Sequence, residues 1–297
     1  MLSRYMTITG LLLLIHLLNS CSKNEEKPTP ADTTGYETVP VQKPITAGVI
    51  DEVSGIAPGY NNAGKLWAIE DSDRPNELGL LDPNGTLLKK VVLTGIVNRD
   101  WEDIATGPGP EAGVNYVYVA ETGDNASVYN EYAIFRMKEP QSADVKVDAI
   151  DKIRFVYPDG SHDAEAIILD PSTKDLYVIT KRDAKSKLYK LSYPYKVNES
   201  QTLTFITDLP YNLVTAANIS EDGKEILVRT YGLIYYYTVA NGKSIGEVLS
   251  GSFKNLQHQS EPQGESICFA GDQSGFYTLS EKLFNAPVNL NFYAKKP

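Results

Sequence analysis

Hydrophobic and polar positions along this chain change over in short runs. "LWAIE" from Leu66, "YVYVA" from Tyr116, "LYVIT" from Leu176, "ILVRT" from Ile226 and "FYTLS" from Phe276 are apolar stretches rich in β-branched and aromatic residues. Runs of this length and composition predict strands. "DPNG" from Asp82, "DPSTKD" from Asp170 and "EDGK" from Glu221 supply the turn chemistry between them. Long stretches of 3.6-residue period are absent, so the chain reads as all-β.

The runs recur in a fixed context. Ile56, Ile104, Ile167, Ile219 and Ile267 follow one another at steps of 48, 63, 52 and 48 residues. Two positions before them stand Ser54, Glu102, Glu165, Ala217 and Glu265. Each isoleucine is followed by one of the apolar runs above and then by a third run: "LGLLD", "YAIFRM", "KLYKL", "LIYYYTV" and "VNLNFY". Four units add a fourth run, "KKVVL", "KIRFVY", "LTFIT" and "EVLSGSF". The fifth unit lacks one, and "VQKPITAG" (41–48) is free to complete it. Units of about four strands at a period of roughly 40–60 residues predict a β-propeller. Five blades are counted, closed by the N-terminal strand, which removes the open edges of the ring. Six blades stay open if the long second unit holds extra strands. A sandwich or irregular barrel has no use for a repeated first-strand motif.

In a propeller the first strand of each blade lines the axis, so equivalent residues form a ring. Ser54, Glu102, Glu165 and Glu265 then meet around one channel, with Ala217 as a gap. Carboxylates this close repel and are costly to desolvate. They share protons or bind a cation, and oxygen donors of this kind suit calcium. The plain alternative is a polar ring that only bonds neighbouring blades. Outside the first twenty residues the histidines are His162 and His258, which make no zinc set.

The second runs all end in charge: "EDSDRPN" (70–76), "ETGDN" (121–125), "TKRD" (180–183), "RTYG" (229–232) and "SEKLF" (280–284). Asp71, Asp73, Asp124 and Asn125 could hold a metal or orient water. Arg74, Lys181, Arg182, Arg229 and Lys282 could clamp a phosphate or carboxylate. The residues expected to carry chemistry are Asp71, Asp73, Asp124, Lys181, Arg182 and Arg229; solvated loop ends are the alternative. Tyr235, Tyr236 and Tyr237 read as packing plus surface, where an exposed ring could stack on a sugar.

The net charge of −10 speaks against nucleic acid. Residues 1–20 read as a lipoprotein signal. Arg4 precedes an apolar stretch, Leu11–Leu18, that falls short of the roughly 20 residues a membrane helix needs. "LLNSC" places Cys21 at a lipobox-like end, with Asn19 where a small residue is usual. Residues 21–40 read as a polar tether and 41–297 as the propeller domain. The expected setting is the outer membrane or cell surface. The chain is expected to touch the membrane only through its lipid, to be a monomer, and to bind a small anionic ligand or glycan. Cys268 then has no disulfide partner and reads as a buried thiol.

The order Ser, Glu, Glu, small residue, Glu at five blade starts resembles the soluble calcium-activated nucleotidase (apyrase) family. That resemblance implies a five-bladed propeller with one calcium on its axis. The implied ligands are Ser54 in "VSGIA", Glu102 in "WEDIA", Glu165 in "DAEAI" and Glu265 in "GESIC". Ala217 stands where that family has a second serine, with Thr215 and Asn218 nearby. Over more of its length the chain resembles bacterial secreted propellers described as SMP-30-like or WD40-like, through "VSGIA", "DWEDIA", "AETGDN", "DAEAII" and "QGESIC". This second resemblance implies fold and site but no reaction. Two classes of function follow: a metal-dependent hydrolase of a phosphate ester, nucleotide or lactone, or a non-catalytic envelope module that binds a glycan or a partner protein.

Overall fold

Five separate sheets, each mostly antiparallel, account for the strands of the computed structural model, which describes residues 34–284 and 286–297. The signal segment 1–20, Cys21 and the tether as far as residue 33 lie outside the described residues. Blade 1 consists of Val53–Pro58, Leu66–Glu70, Glu77–Leu81 and Leu87–Leu93. Blade 2 holds Trp101–Pro108, Asn115–Glu121, Tyr132–Lys138 and Asp151–Val156, and blade 3 holds Ala164–Leu169, Leu176–Thr180, Lys187–Leu191 and Thr204–Asp208. Blade 4 holds Val214–Ile219, Glu225–Thr230, Ile234–Thr238 and Lys254–Leu256. Blade 5 has Gly264–Phe269, Gly275–Ser280 and Asn289–Ala294, and Val41–Pro44 adds its outer strand antiparallel to Asn289–Ala294. The protein is a five-bladed β-propeller closed by its N-terminal strand. Packing begins earlier still, at Tyr36, which bridges to Lys295 and is buried among Tyr236, Phe269 and Phe276.

The apolar runs are explained by where the core sits. The five core clusters each lie between two neighbouring blades, so the inner strands are covered on both faces. Strands covered on both faces read as continuous apolar runs rather than alternating ones. Trp67 and Trp101, both fully buried, anchor the boundary of blades 1 and 2.

One predicted strand is a helix. "EVLSGSF" begins inside the short helix Ile245–Leu249, and the fourth strand of blade 4 is the later Lys254–Leu256. The cause is local: Ser244 and Glu247 satisfy each other's backbone N–H groups in a capping box. Blades 1 and 2 also carry a fifth strand each, borrowed from the next blade's long loop. Lys146–Val147 pairs in parallel with Leu87–Leu93, and Ser200–Thr202 pairs in parallel with Asp151–Val156. Tyr235, Tyr236 and Tyr237 are all buried, with Tyr235 stacked on Tyr211 at 3.9 Å, so none is free for a sugar.

Innermost strands have a neighbour in their sheet on one side only, and their inner N–H groups need acceptors. Asp103 provides them. Its carboxylate accepts from Ile104 N at 2.8 Å, from Ile167 N of blade 3 at 2.9 Å and from Ala217 N of blade 4 at 3.5 Å. The equivalent positions of the other blades are small: Gly55, Ala166, Ala216 and Ser266. A Cβ on Gly55 would lie 2.9 Å from Ile104 N, so that blade needs glycine beside Asp103. Asp103→Ala strands these buried donors and should cost roughly 3 kcal/mol in urea unfolding. Asp103→Asn keeps an acceptor and should cost clearly less; equal losses would deny the carboxylate this role.

Candidate metal centre

Each first strand skips one residue in its pairing with the second strand, at the same place in every blade. The residues left unpaired are Ser54, Glu102, Glu165, Thr215 and Glu265. A bulge bends the strand and re-aims the extra side chain. The repeated bulge gives five residues one common role, and it corrects the fourth. Ala217 pairs with Val228 as Ile56, Ile104, Ile167 and Ile267 pair with their partners, so Ala217 replaces the isoleucine. The ring position belongs to Thr215, whose hydroxyl donates to Gly264 O at 2.8 Å. Counting back from Ile219 displaced the assignment by two residues.

A second tier comes from the residue directly after each second strand: Asp71, Thr122, Lys181, Tyr231 and Glu281. All residues of the two tiers except Thr215 and Thr122 line a cavity of about 160 Å³ at the mouth of the channel. Its wall holds six acids, Glu52, Asp71, Glu102, Glu165, Glu265 and Glu281, against two bases, Lys181 and Arg182. Ser54 also lines it, and its buried Oγ has no hydrogen-bond partner in the protein.

The acids are crowded. Asp71, Asp100 and Glu102 bring carboxylate oxygens within 4.8 Å of one another, and so do Glu102, Asp163 and Glu165. Burial, then the charges of Glu165, Asp71 and Asp100, push the Glu102 carboxyl well above the usual range. Burial and the neighbouring Asp71 raise Asp100 to about 7, and burial with a hydrogen bond to Glu52 raises Glu281 to about 8. Gly123 makes the crowding sterically possible: a Cβ there would lie 2.2 Å from Glu102 Oε1 and 2.4 Å from Asp100 Oδ2. This buried acidic cluster, with an unpartnered hydroxyl beside it, suits a divalent metal ion. A hard cation would meet the carboxylates of Glu102, Asp71 and Asp100 and the hydroxyl of Ser54.

The bases do not stand free. Lys181 is ion-paired with Glu165, both buried, and the Tyr231 ring lies 4.8 Å from its Nζ. Burial disfavours that ammonium, but Glu165 and Glu265 hold its pKa above the ordinary lysine value. Arg182 Nε meets Asp163 Oδ2 at 2.6 Å. Three residues expected here lie elsewhere. Asp73 sits at positive φ in an exposed turn. Asp124 ties its own loop, accepting from Val128 N at 2.9 Å, Tyr129 N at 2.8 Å and the Tyr132 hydroxyl at 2.7 Å. Arg229 is fully buried against Glu261 at 3.0 Å and fills the space a side chain on Gly264 would take. Arg74 pairs with Glu52 and Lys282 with Asp51.

Sequence reasoning passed over Asp100, Asp163, Glu52 and Glu281. A signal existed for the first three: Asp100, Asp163 and Glu52 each stand two residues before a ring residue, as in "DWE", "DAE" and "EVS".

Proton holding at this mouth has a stability consequence. Asp100 (ordinary value 3.8) and Glu281 (ordinary value 4.5) titrate near 7 and 8 in the fold, so the folded chain keeps protons that the unfolded chain releases. Stability from these groups is full below the unfolded values and is lost as pH rises through the folded ones. In EDTA, the melting temperature should fall between about pH 4 and about pH 8, and Asp100→Asn with Glu281→Gln should flatten the fall. A melting temperature that rises over this window in the parent protein would contradict it.

No family model matches the chain, and no curated protein matches it. Among solved structures, it is similar to a luciferin-regenerating enzyme at 13% identity and a TM-score of 0.44, over 87% of this chain and 95% of that one. It is also similar to a gluconolactonase from Xanthomonas campestris at 11% identity and a TM-score of 0.46, over 81% of this chain and 72% of that one.

Proposed function

We propose that this is an exported, lipid-anchored propeller that holds calcium at its acidic mouth and there hydrolyses a phosphate ester or a lactone. The observation that carries the reading is one cavity in which six acids face two paired bases and a buried serine hydroxyl lacks a partner. Calcium accepts six to eight loosely arranged oxygens, water included, which suits carboxylates set on different blades. When bound, such an ion polarises a carbonyl or phosphoryl oxygen and acidifies water.

The chain's own residues do the rest. Glu281, raised to about 8 by burial and its hydrogen bond to Glu52 and not among the carboxylates placed on the ion, holds or releases a proton near neutral pH, the range that suits a general acid or base. Arg182, half-exposed at the rim, orients an anionic group while it stays against Asp163. A cavity of about 160 Å³ admits an ion, water and the reacting group, so the rest of a substrate lies across the rim.

A second reading has its own support. Loops that join second to third strands, or one blade to the next, share the face of the cavity. Exposed large apolar side chains gather on them: Val97, Val128, Tyr129, Leu213, Tyr231, Leu233, Leu283 and Phe284. On the opposite face, among the described segments outside the strands, only Val39, ahead of the closing strand, and Val145 are of this kind. An apolar collar of this sort favours a non-catalytic envelope module whose cavity face docks a glycan or a partner protein.

Calcium should raise the melting temperature and EDTA should reverse it, because a ligand of the native state stabilises it. With calcium, a panel of phosphate esters, nucleotides and lactones should contain a substrate, and Glu281→Gln should lower kcat about a hundredfold while the calcium shift persists. A calcium shift without turnover on any substrate assigns the chain to the binding class; absence of both removes the metal site. Export and anchoring rest on residues 1–21. Labelled fatty acid should enter the protein in cells and be lost in Cys21→Ser; equal labelling of the two would refute the anchor.

A further inference from the structure

Among the described carboxylates around the mouth, Glu165, Asp163 and, further out on blade 1, Glu52 have an ion pair, with Lys181, Arg182 and Arg74, while Asp71, Asp100, Glu102 and Glu281 have none. Toward blades 3 to 5, the chain supplies its own cations: Lys181 pairs with Glu165 and lies near enough to Glu265 for that charge to support it, and Arg182 pairs with Asp163. Toward blades 1 and 2, Asp71, Asp100 and Glu102 crowd within 4.8 Å, and among the described residues none has an ion pair with lysine or arginine. Gly123 leaves bare backbone against Glu102 Oε1 and Asp100 Oδ2, so the two carboxylates are given room side by side. The independent sign of a ligand lies on the same side. Ser54 belongs to blade 1, is 5% exposed and lines the cavity, and its Oγ is buried without a partner. A hydroxyl left without a partner in a buried site carries a penalty unless something outside the protein takes it up.

We infer that the cation sits off the propeller axis, on Asp71, Asp100, Glu102 and the Ser54 hydroxyl, while the Lys181 ammonium takes the place of a cation on the blade 3 to 5 side. The assignment rests on the reading of the mouth as a cation site, and it makes that site asymmetric. Glu165 and Glu265 share their charge with Lys181 and are the weaker contributors to metal affinity. Asp71 and Asp100, which belong to the second tier and the approach to the ring, are the stronger ones. One divalent ion is held, and Lys181 is the reason a second is not.

Calcium titration by calorimetry, with terbium luminescence excited through tryptophan as a second readout, tests this on the intact folded domain. The parent protein should bind one equivalent of calcium. Asp71→Asn and Asp100→Asn should each weaken binding about tenfold or more, and by more than Glu265→Gln does. Gly123→Ala keeps every charge but pushes the two carboxylates apart, so it should weaken binding as well even if an aspartate variant folds poorly. Lys181→Gln should raise the stoichiometry from one to two, since Glu165 and Glu265 lose their internal partner. If Glu265→Gln costs as much affinity as Asp100→Asn and Lys181→Gln still binds a single ion, the site is centred on the axis and this assignment fails while the cation reading stands. If the parent protein binds neither calcium nor terbium, the cation reading fails and takes the assignment with it.

Discussion

The Asp103 carboxylate is the interaction on which the centre of the molecule depends. Five inner strands meet there, each with a sheet neighbour on one side only. Backbone donors on their free sides need an acceptor that reaches more than one blade. Asp103 reaches three, its own, blade 3 and blade 4. Burial pushes its carboxyl well above the usual range, and the three N–H donors work against that. Every other blade yields space at this level with Gly55, Ala166, Ala216 or Ser266, so a single acid has room to serve three blades.

One residue earlier on the same strand, the chemistry changes. Glu102 follows the same path toward the axis, but the bulge turns it to the mouth, and its neighbours are other carboxylates rather than N–H groups. Asp103 is satisfied by the protein; Glu102 is not. This difference in partners, not in residue type, separates an acid that holds the fold from an acid that awaits a ligand. It also explains why the crowded side includes Gly123 and an unpartnered serine: the surroundings are built to tolerate the carboxylates, not to neutralise them.

Much of this was legible in the chain. The number of blades, the closing strand and the convergence of Ser54, Glu102, Glu165 and Glu265 follow from a repeat whose period is set by strands that are covered on both faces. The failures have local causes. Blade 4 hides its ring residue because Ala217 stands in the isoleucine's place, and a bulge cannot be counted from composition. Ser244 and Glu247 make a helix of a segment that reads as a strand, since two side-chain bonds outweigh a short apolar pattern. Arg229 lies inside its strand, two residues before Tyr231, which is the counterpart of Lys181; Gly264 opens a buried slot beside it and Glu261 supplies the counter-charge. Whether a charged strand end faces the mouth or the interior is decided by the neighbouring blade, which sequence distance does not reveal.

The two borrowed strands make the ring uneven. Lys146–Val147 ties the loop of blade 2 to blade 1, and Ser200–Thr202 ties the loop of blade 3 to blade 2. Three consecutive blades are therefore laced into one arc, while blade 4 carries a short helix and a three-residue outer strand and receives no such lace. Cooperative units of a fold open separately according to how they are tied together. The seams beyond that arc are held by side-chain packing and by the closing strand rather than by a borrowed strand, so local opening is expected to start there. The Tyr231 and Glu281 wall of the cavity lies beyond the laced arc, and the Asp71 and Glu102 wall stands within it.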